Sequence, residues 1–273
     1  MTGYRYRIIH PTDLSTAGEA AFAHALRLAT LLKAEFHILH VHTPGEHEDP
    51  DAHPPAVRET LARWGIIAAD TPRAAVAQAA GVHVVKIDIR DRSAAAGIGQ
   101  YIARHQADLV VLATQGREGL DRILHGSVAE DIAATTDVPV LFVPSGCRGF
   151  VDAATGEASL DRVLVPVAGQ PDPEPALLAL ARLTTAIALP DDRVAFVHVG
   201  AQPPVVYFGT SPHPQPVRLL EGEVIASILS AAADADLLVM LTEKRDSVID
   251  VLRGTTTERI IRHAPCPVLA IPA

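Results

Sequence analysis

The sequence is short of several things, and each shortage removes a class of protein. Aromatic residues make up only 4% of the 273 positions, so Ala, Leu and Val must fill any core, a mix that suits helices packed closely on a sheet. Two cysteines, Cys147 and Cys266, stand alone without CxxC spacing. That excludes a disulfide framework and a zinc knuckle and fits free thiols in a reducing compartment. A surplus of positive charge is missing too: the formal net charge is -9, so there is no clustered Lys/Arg footprint for nucleic acid. Acidity does not exclude a nucleotide, whose phosphates can be held by backbone N–H groups at a helix start. No run of about 20 apolar residues occurs, and no membrane span is expected. The first apolar run ends early, at His10-Pro11-Thr12-Asp13, which leaves no room for a signal-peptide core. The expectation is a soluble, cytoplasmic protein. With 48% hydrophobic and 20% charged residues, the chain is long and apolar enough for two domains of ordinary size.

The organising feature is a repeat. Residues 108–144 align without a gap on residues 236–272, an offset of 128, with thirteen identities in 37 positions. Among them are Asp108/Asp236, Thr114/Thr242, Arg117/Arg245, Gly126/Gly254, Glu130/Glu258, Pro139/Pro267 and Pro144/Pro272. The starts match at an offset of 155, where Arg7-Ile8-Ile9-His10-Pro11 faces Arg162-Val163-Leu164-Val165-Pro166, and His40 matches His198. The second copy is therefore shorter. It lacks the helical stretch of residues 55–80 and carries a Pro-rich loop, 202–216, in its place. Two copies of this size read as a duplicated domain, not a short-period solenoid. The expected division is a first domain at 1–145, a Gly/Ala/Thr-rich linker at 146–159 and a second domain at 160–273.

Within the first copy, a short apolar run predicts a buried strand at 6–10, a continuous one at 109–113 predicts a parallel strand covered on both faces, and further strands are expected at 36–42, 82–89 and 138–143. Helical spacing of Phe22, Ala25, Leu26, Ala29 and Leu32 predicts a helix, with Ser15 in position to cap it. Further helices are expected at 94–105 and 128–136. Alternating strands and helices predict doubly wound, mainly parallel sheets, one per copy. Ligands of such sheets sit beyond the carboxyl ends of the strands where strand order switches. The turns after the first and fourth strands, Pro11-Thr12-Asp13 and Thr114-Gln115-Gly116, are the expected walls.

After the fourth strand the spacing is Ala113-x2-Gly116-x9-Gly126-Ser127-Val128. Glycine admits close approach of backbone N–H groups to an anion, and a helix start adds partial positive charge. Ser127 and Glu130 also have capping-box spacing, so the same residues read equally well as a turn and a cap. Taken with Pro11-Thr12-Asp13 and the closing Val138-Pro139-Val140-Leu141-Phe142-Val143-Pro144, the pattern resembles the universal stress protein family in its tandem form. The resemblance implies a Rossmann-like fold related to the adenine-nucleotide α-hydrolases, and ATP, with Mg²⁺, as ligand. It implies that Asp13 meets ribose or adenine, that Pro11 and Thr12 form the wall, and that Val41 touches adenine through its backbone. Ala113, Gly116, Gly126, Ser127 and Val128 would line the phosphates. Ala113 stands where the family's usual first glycine is. The family also implies that the last strands of the two copies pair about a pseudo-two-fold axis, an intramolecular pseudo-dimer that leaves a homodimer of chains open.

The second copy departs from the pattern. Ala168 stands for Asp13, and Leu241 and Lys244 stand for Ala113 and Gly116, although Gly254-Thr255 survives. It reads as a degenerate partner domain. His37, His40, His42, His47 and His53 crowd one region beside Glu46, Glu48, Asp49 and Asp51, where a metal-binding role is an alternative; His40 and its counterpart His198 point instead to a shared structural role. No Ser-His-Asp order, nucleophile elbow or PP-loop is present, so the chain reads as a binding protein whose hydrolysis of ATP, if any, is slow. The functional expectation is a nucleotide-binding stress sensor with an unnamed protein partner. The alternative is an interaction scaffold without nucleotide.

Overall fold

The structure is a computed structural model that describes residues 6–44, 55–114, 132, 136–170, 172–242 and 256–272. Ten strands form one sheet: β1 (Arg7–Pro11), β2 (Glu35–His42), β3 (His83–Arg90), β4 (Leu109–Thr114), β5 (Val140–Pro144), β6 (Val163–Pro166), β7 (Val194–Val199), β8 (Val217–Leu220), β9 (Leu237–Thr242) and β10 (Val268–Pro272). Their order is β3-β2-β1-β4-β5-β10-β9-β6-β7-β8. Every pairing is parallel except β5–β10, where Val268, Leu269 and Ala270 face Phe142, Leu141 and Val140 antiparallel. The two expected sheets are thus joined edge to edge through the last strand of each copy. Pairing there removes two apolar strand edges from solvent.

Seven helices are described: α1 (Glu19–Leu31), α2 (Val57–Arg63), α3 (Val76–Ala80), α4 (Ala94–His105), α5 (Glu174–Ala186), α6 (Val224–Ala231) and α7 (Thr256–His263). Successive strand residues serve opposite faces. Ile8, Leu109 and Val111 pack with α1 and α5 on one side, and Ile9, Val110 and Leu112 with α4, α6 and α7 on the other. That is why the central strands read as unbroken apolar runs. Small residues on α1 (Ala21, Ala25 and Ala29, all fully buried) let its axis lie close to the sheet.

The repeated residues have structural roles. The Asp108 carboxylate accepts the Arg7 N–H at 2.7 Å, and Asp236 accepts the N–H groups of Asp161 and Arg162, both at 2.9 Å. Each aspartate therefore ties the base of its fourth strand to the base of its first. Pro139 and Pro267 present carbonyls to Val110 and Leu238 at 3.0 and 2.9 Å, one step before β5 and β10 begin.

The segment expected as a linker is packed against the body. Val151 and Ala158 form an antiparallel bridge. Phe150 is buried edge-on against His24, ring centroids 4.5 Å apart. Trp64 donates from Nε1 to the Ala153 carbonyl at 3.1 Å and covers Gly156 so closely that any Cβ there would collide with the indole. The expected cap also differs. The Ser15 hydroxyl makes no capping bond to the helix; it donates to Asp13 Oδ1 at 2.7 Å, because a local Asx turn competes for it.

Two imidazoles in this core are held neutral. Burial pushes His10 and His24 down from 6.5 to about 4. Between those values the unfolded chain takes up protons that the folded chain refuses. Stability is therefore complete above about pH 6.5 and is lost as pH falls toward 4, by on the order of 3 kcal/mol for each ring. The urea midpoint should drop steeply across that window. A midpoint flat from pH 6.5 to 4.5 would contradict neutral burial.

Candidate functional site

Strand order switches at β1, since the chain runs from β1 outward to β2 and β3 and then returns to β4 on the other flank. The ladder there is short. β1 pairs with β4 only at Ile8↔Leu109 and Ile9↔Val110, whereas on the other flank it stays paired with β2 as far as Pro11↔Leu39. Beyond these rungs β1 and β4 are no longer paired, and the gap between their carboxyl ends lies where doubly wound folds place a ligand crevice. Across it, the buried His10 ring, packed near Phe22 and Phe36, donates from Nδ1 to the Val111 carbonyl at 2.9 Å.

The turn at the mouth is strained and over-determined. Leu14 sits at φ +64°, a left-handed conformation costly for a branched side chain. Its neighbours hold it there: the Leu14 N–H donates to Thr12 Oγ1 and the Ser15 N–H to Asp13 Oδ1, each at 3.0 Å. Asp13 is exposed. Its Oδ1 is occupied by Ser15, and Oδ2 has no partner among the described residues. One carboxylate oxygen on this exposed turn is therefore left able to accept, as the hydroxyls of a sugar would require.

The other expected residues divide into two groups. Pro11 is buried at the end of β1, Thr12 half-buried, and Val41 buried on β2 two residues beyond the last β1 rung. Ala113 lies in β4 opposite Val143 and is not at positive φ, so its Cβ costs no backbone strain. Pro11 and Ala113 thus lie on the two strands that flank the switch point. Gly116, Gly126, Ser127 and Val128 lie outside the described residues.

One contributor went unforeseen, and a second, read from the sequence only as a shared structural residue, borders the turn. Gly97 on α4 leaves just enough space for the helix to meet β2, since a Cβ there would sit 3.0 Å from both Val41 Cγ1 and Asp91 Cβ. The second is His40, whose Nδ1 lies 2.9 Å from the Thr12 carbonyl oxygen. Its repeat in His198 was the available signal. Of the suggested metal cluster, His37 is held by Glu35 (2.6 Å) and by the Tyr101 hydroxyl (2.8 Å). His40 and His42 meet edge to face, with centroids 4.4 Å apart. No group of three His, Cys, Asp or Glu side chains among the described residues is placed to hold a metal ion; His47, His53 and their acidic neighbours lie outside them.

The second half repeats the crevice without its chemistry. β6 pairs with β9 only at Val163↔Leu237 and Leu164↔Leu238. Where the first half has His10 and Asp13, this half has Val165 and an exposed Ala168. No helix among the described residues is long and apolar enough to cross a membrane.

The architecture is that of a Rossmann-like α/β protein with a switch in strand order at β1. The model of the universal stress protein family matches residues 5–144 and 211–272, and the chain belongs to that family. A universal stress protein of Methanocaldococcus jannaschii is 30% identical over 139 residues, 50% of this chain and 81% of that protein. Among solved structures, a universal stress protein from Archaeoglobus fulgidus is 19% identical with a TM-score of 0.62, covering 97% of this chain and 98% of that one. A putative universal stress protein from Pseudomonas aeruginosa is 16% identical with a TM-score of 0.61, covering 98% and 93%. Both share the fold along nearly the whole length.

Proposed function

We propose that the chain is a regulatory stress protein whose first half, residues 1–145, binds ATP with Mg²⁺, and whose second half, residues 160–273, is a partner domain without nucleotide. The observation that carries this reading is the gap between the carboxyl ends of β1 and β4 beside an Asp13 Oδ2 that has no partner among the described residues, next to a β4 end that leads within two residues to Gly116. In this reading Asp13 accepts from the ribose, Pro11, Thr12 and the Val41 backbone wall the adenine, and Ala113, Gly116, Gly126, Ser127 and Val128 follow the phosphates. Backbone N–H groups rather than lysine would meet the phosphate charge, in keeping with the acidic balance of the chain. Occupancy would bias a surface read by a protein partner, and hydrolysis would be slow for want of a base beside the crevice.

Asp13 is exposed, so its removal costs little folding stability, whereas a bond to a charged acceptor contributes about 1.5–3 kcal/mol. Asp13→Ala should weaken ATP binding roughly 10- to 100-fold with the thermal midpoint nearly unchanged. Equal affinity in the variant would remove Asp13 from the site.

A second reading, an interaction scaffold without nucleotide, draws on the second half. Its turn carries Ala168 where the first half has Asp13, and Val205 and Tyr207 are 69% and 60% exposed while the intervening Val206 and the adjoining Phe208 are buried as anchors.

A further inference from the structure

We infer that His40 is the positioning residue of the ligand turn: its imidazole clasps the Thr12 carbonyl and so presets Asp13 at the crevice mouth. The inference deepens the proposed function and rests on it for its ligand, but the clasp itself is a property of the free protein.

A carbonyl oxygen can only accept, so at 2.9 Å His40 Nδ1 must carry the proton and donate. Beyond the last rung at Pro11↔Leu39, the Thr12 N–H still donates to the Leu39 carbonyl at 2.9 Å. The Thr12 carbonyl then has the His40 side chain as its donor. The two bonds together extend the β1–β2 ladder by one residue, with an imidazole in place of a backbone N–H. This bears directly on Asp13, because the peptide plane fixed by the Thr12 carbonyl is the one that leads into Asp13. On the β4 flank the ladder has already ended, so the turn is anchored from the β2 side.

The second half supplies an internal comparison. His198 Nδ1 lies 2.8 Å from the Val167 carbonyl, and the Val167 N–H donates to the Val197 carbonyl at 2.8 Å. The same clasp therefore exists twice, once below a turn carrying Asp13 and once below a turn carrying Ala168. Its contribution to folding is common to both halves. Its contribution to a ligand belongs to the first half alone.

The test compares His40→Ala, His40→Asn and His198→Ala in the full chain. Asparagine places an amide N–H close to where Nδ1 stands, so it can remake the bond. Amide hydrogen exchange at Thr12 and Leu14, measured without ligand, should speed at least tenfold in His40→Ala, return toward the wild-type rate in His40→Asn and stay unchanged in His198→Ala. ATP affinity should fall at least tenfold in His40→Ala, recover in His40→Asn and remain within about twofold in His198→Ala, while the two alanine variants lose similar amounts of thermal stability. Unchanged exchange at Thr12 and Leu14 in His40→Ala would overturn the clasp whatever the ligand does. Faster exchange with unchanged ATP affinity would overturn the positioning role. If exchange responds as expected while the wild-type protein binds no ATP, the proposed function falls, and with it the role of the clasp in ATP binding, leaving a structural clasp only.

Discussion

Replacing Gly116 with valine is expected to abolish measurable ATP binding, a loss of at least about 100-fold or roughly 3 kcal/mol. The chain leaves β4 at Thr114, on the wall of the crevice, two residues before this glycine. A residue without Cβ lets backbone N–H groups come within bonding distance of an anion, and each charge-assisted bond contributes about 1.5–3 kcal/mol. A β-branched side chain would keep the phosphate away from more than one such group. The duplicated copy has made a comparable change, with Lys244 at the equivalent position. Equilibrium dialysis with labelled ATP measures the effect directly. Wild-type affinity in Gly116→Val would mean that the glycine serves the turn after β4 alone.

The largest expected effect on stability is at Asp236. Its side chain is only 10% exposed. One oxygen accepts two backbone N–H groups at 2.9 Å each, from Asp161 and Arg162, and the other pairs with Arg148 from the 146–159 segment. Truncation to alanine leaves two backbone donors and a guanidinium without their acceptor. Leaving two part-buried backbone donors without an acceptor costs about 1–3 kcal/mol each, while Arg148, 69% exposed, regains water and adds little, so the thermal midpoint of Asp236→Ala should fall by roughly 10 °C at about 2–4 °C per kcal/mol. Asp236→Asn, which keeps an acceptor oxygen for the backbone, should lose less than half as much. A midpoint within 1 °C of wild type in the alanine variant would contradict the role assigned to this carboxylate.

Asp236 also marks what was legible in the sequence. Its match to Asp108, and the matches of Pro139 to Pro267 and Pro144 to Pro272, announced the duplication because each occupies a place where backbone geometry accepts little else. The central strands were legible as apolar runs, since burial on both faces leaves few polar positions. Their switch point followed from the alternation of strand and helix, and it falls at β1, the strand that Pro11 ends. Other features depend on contacts between distant parts of the chain. The 146–159 segment has the composition of a tether, yet Phe150 against His24 and Gly156 beneath Trp64 fix it, and no local pattern records a partner about 90 or more residues away. His10 and Val111 are joined across the crevice in the same way. Ser15 misled because its hydroxyl had two nearby uses, and the Asp13 carboxylate offered the stronger acceptor.

The two cysteines remained legible for a simple reason. Burial pushes Cys147 up to about 11 and Cys266 up to about 12, so both thiols are protonated at neutral pH and behave as packing groups.

The central claim is an asymmetry: two crevices built alike, of which only the first, bearing Asp13, takes a nucleotide. Calorimetric titration of the full chain with ATP and Mg²⁺, after removal of any nucleotide carried through purification, tests it most directly. The account predicts saturable binding at one site per chain. Two sites would show that Lys244 and the second crevice are functional, and no binding would contradict the nucleotide reading and leave the protein an interaction scaffold.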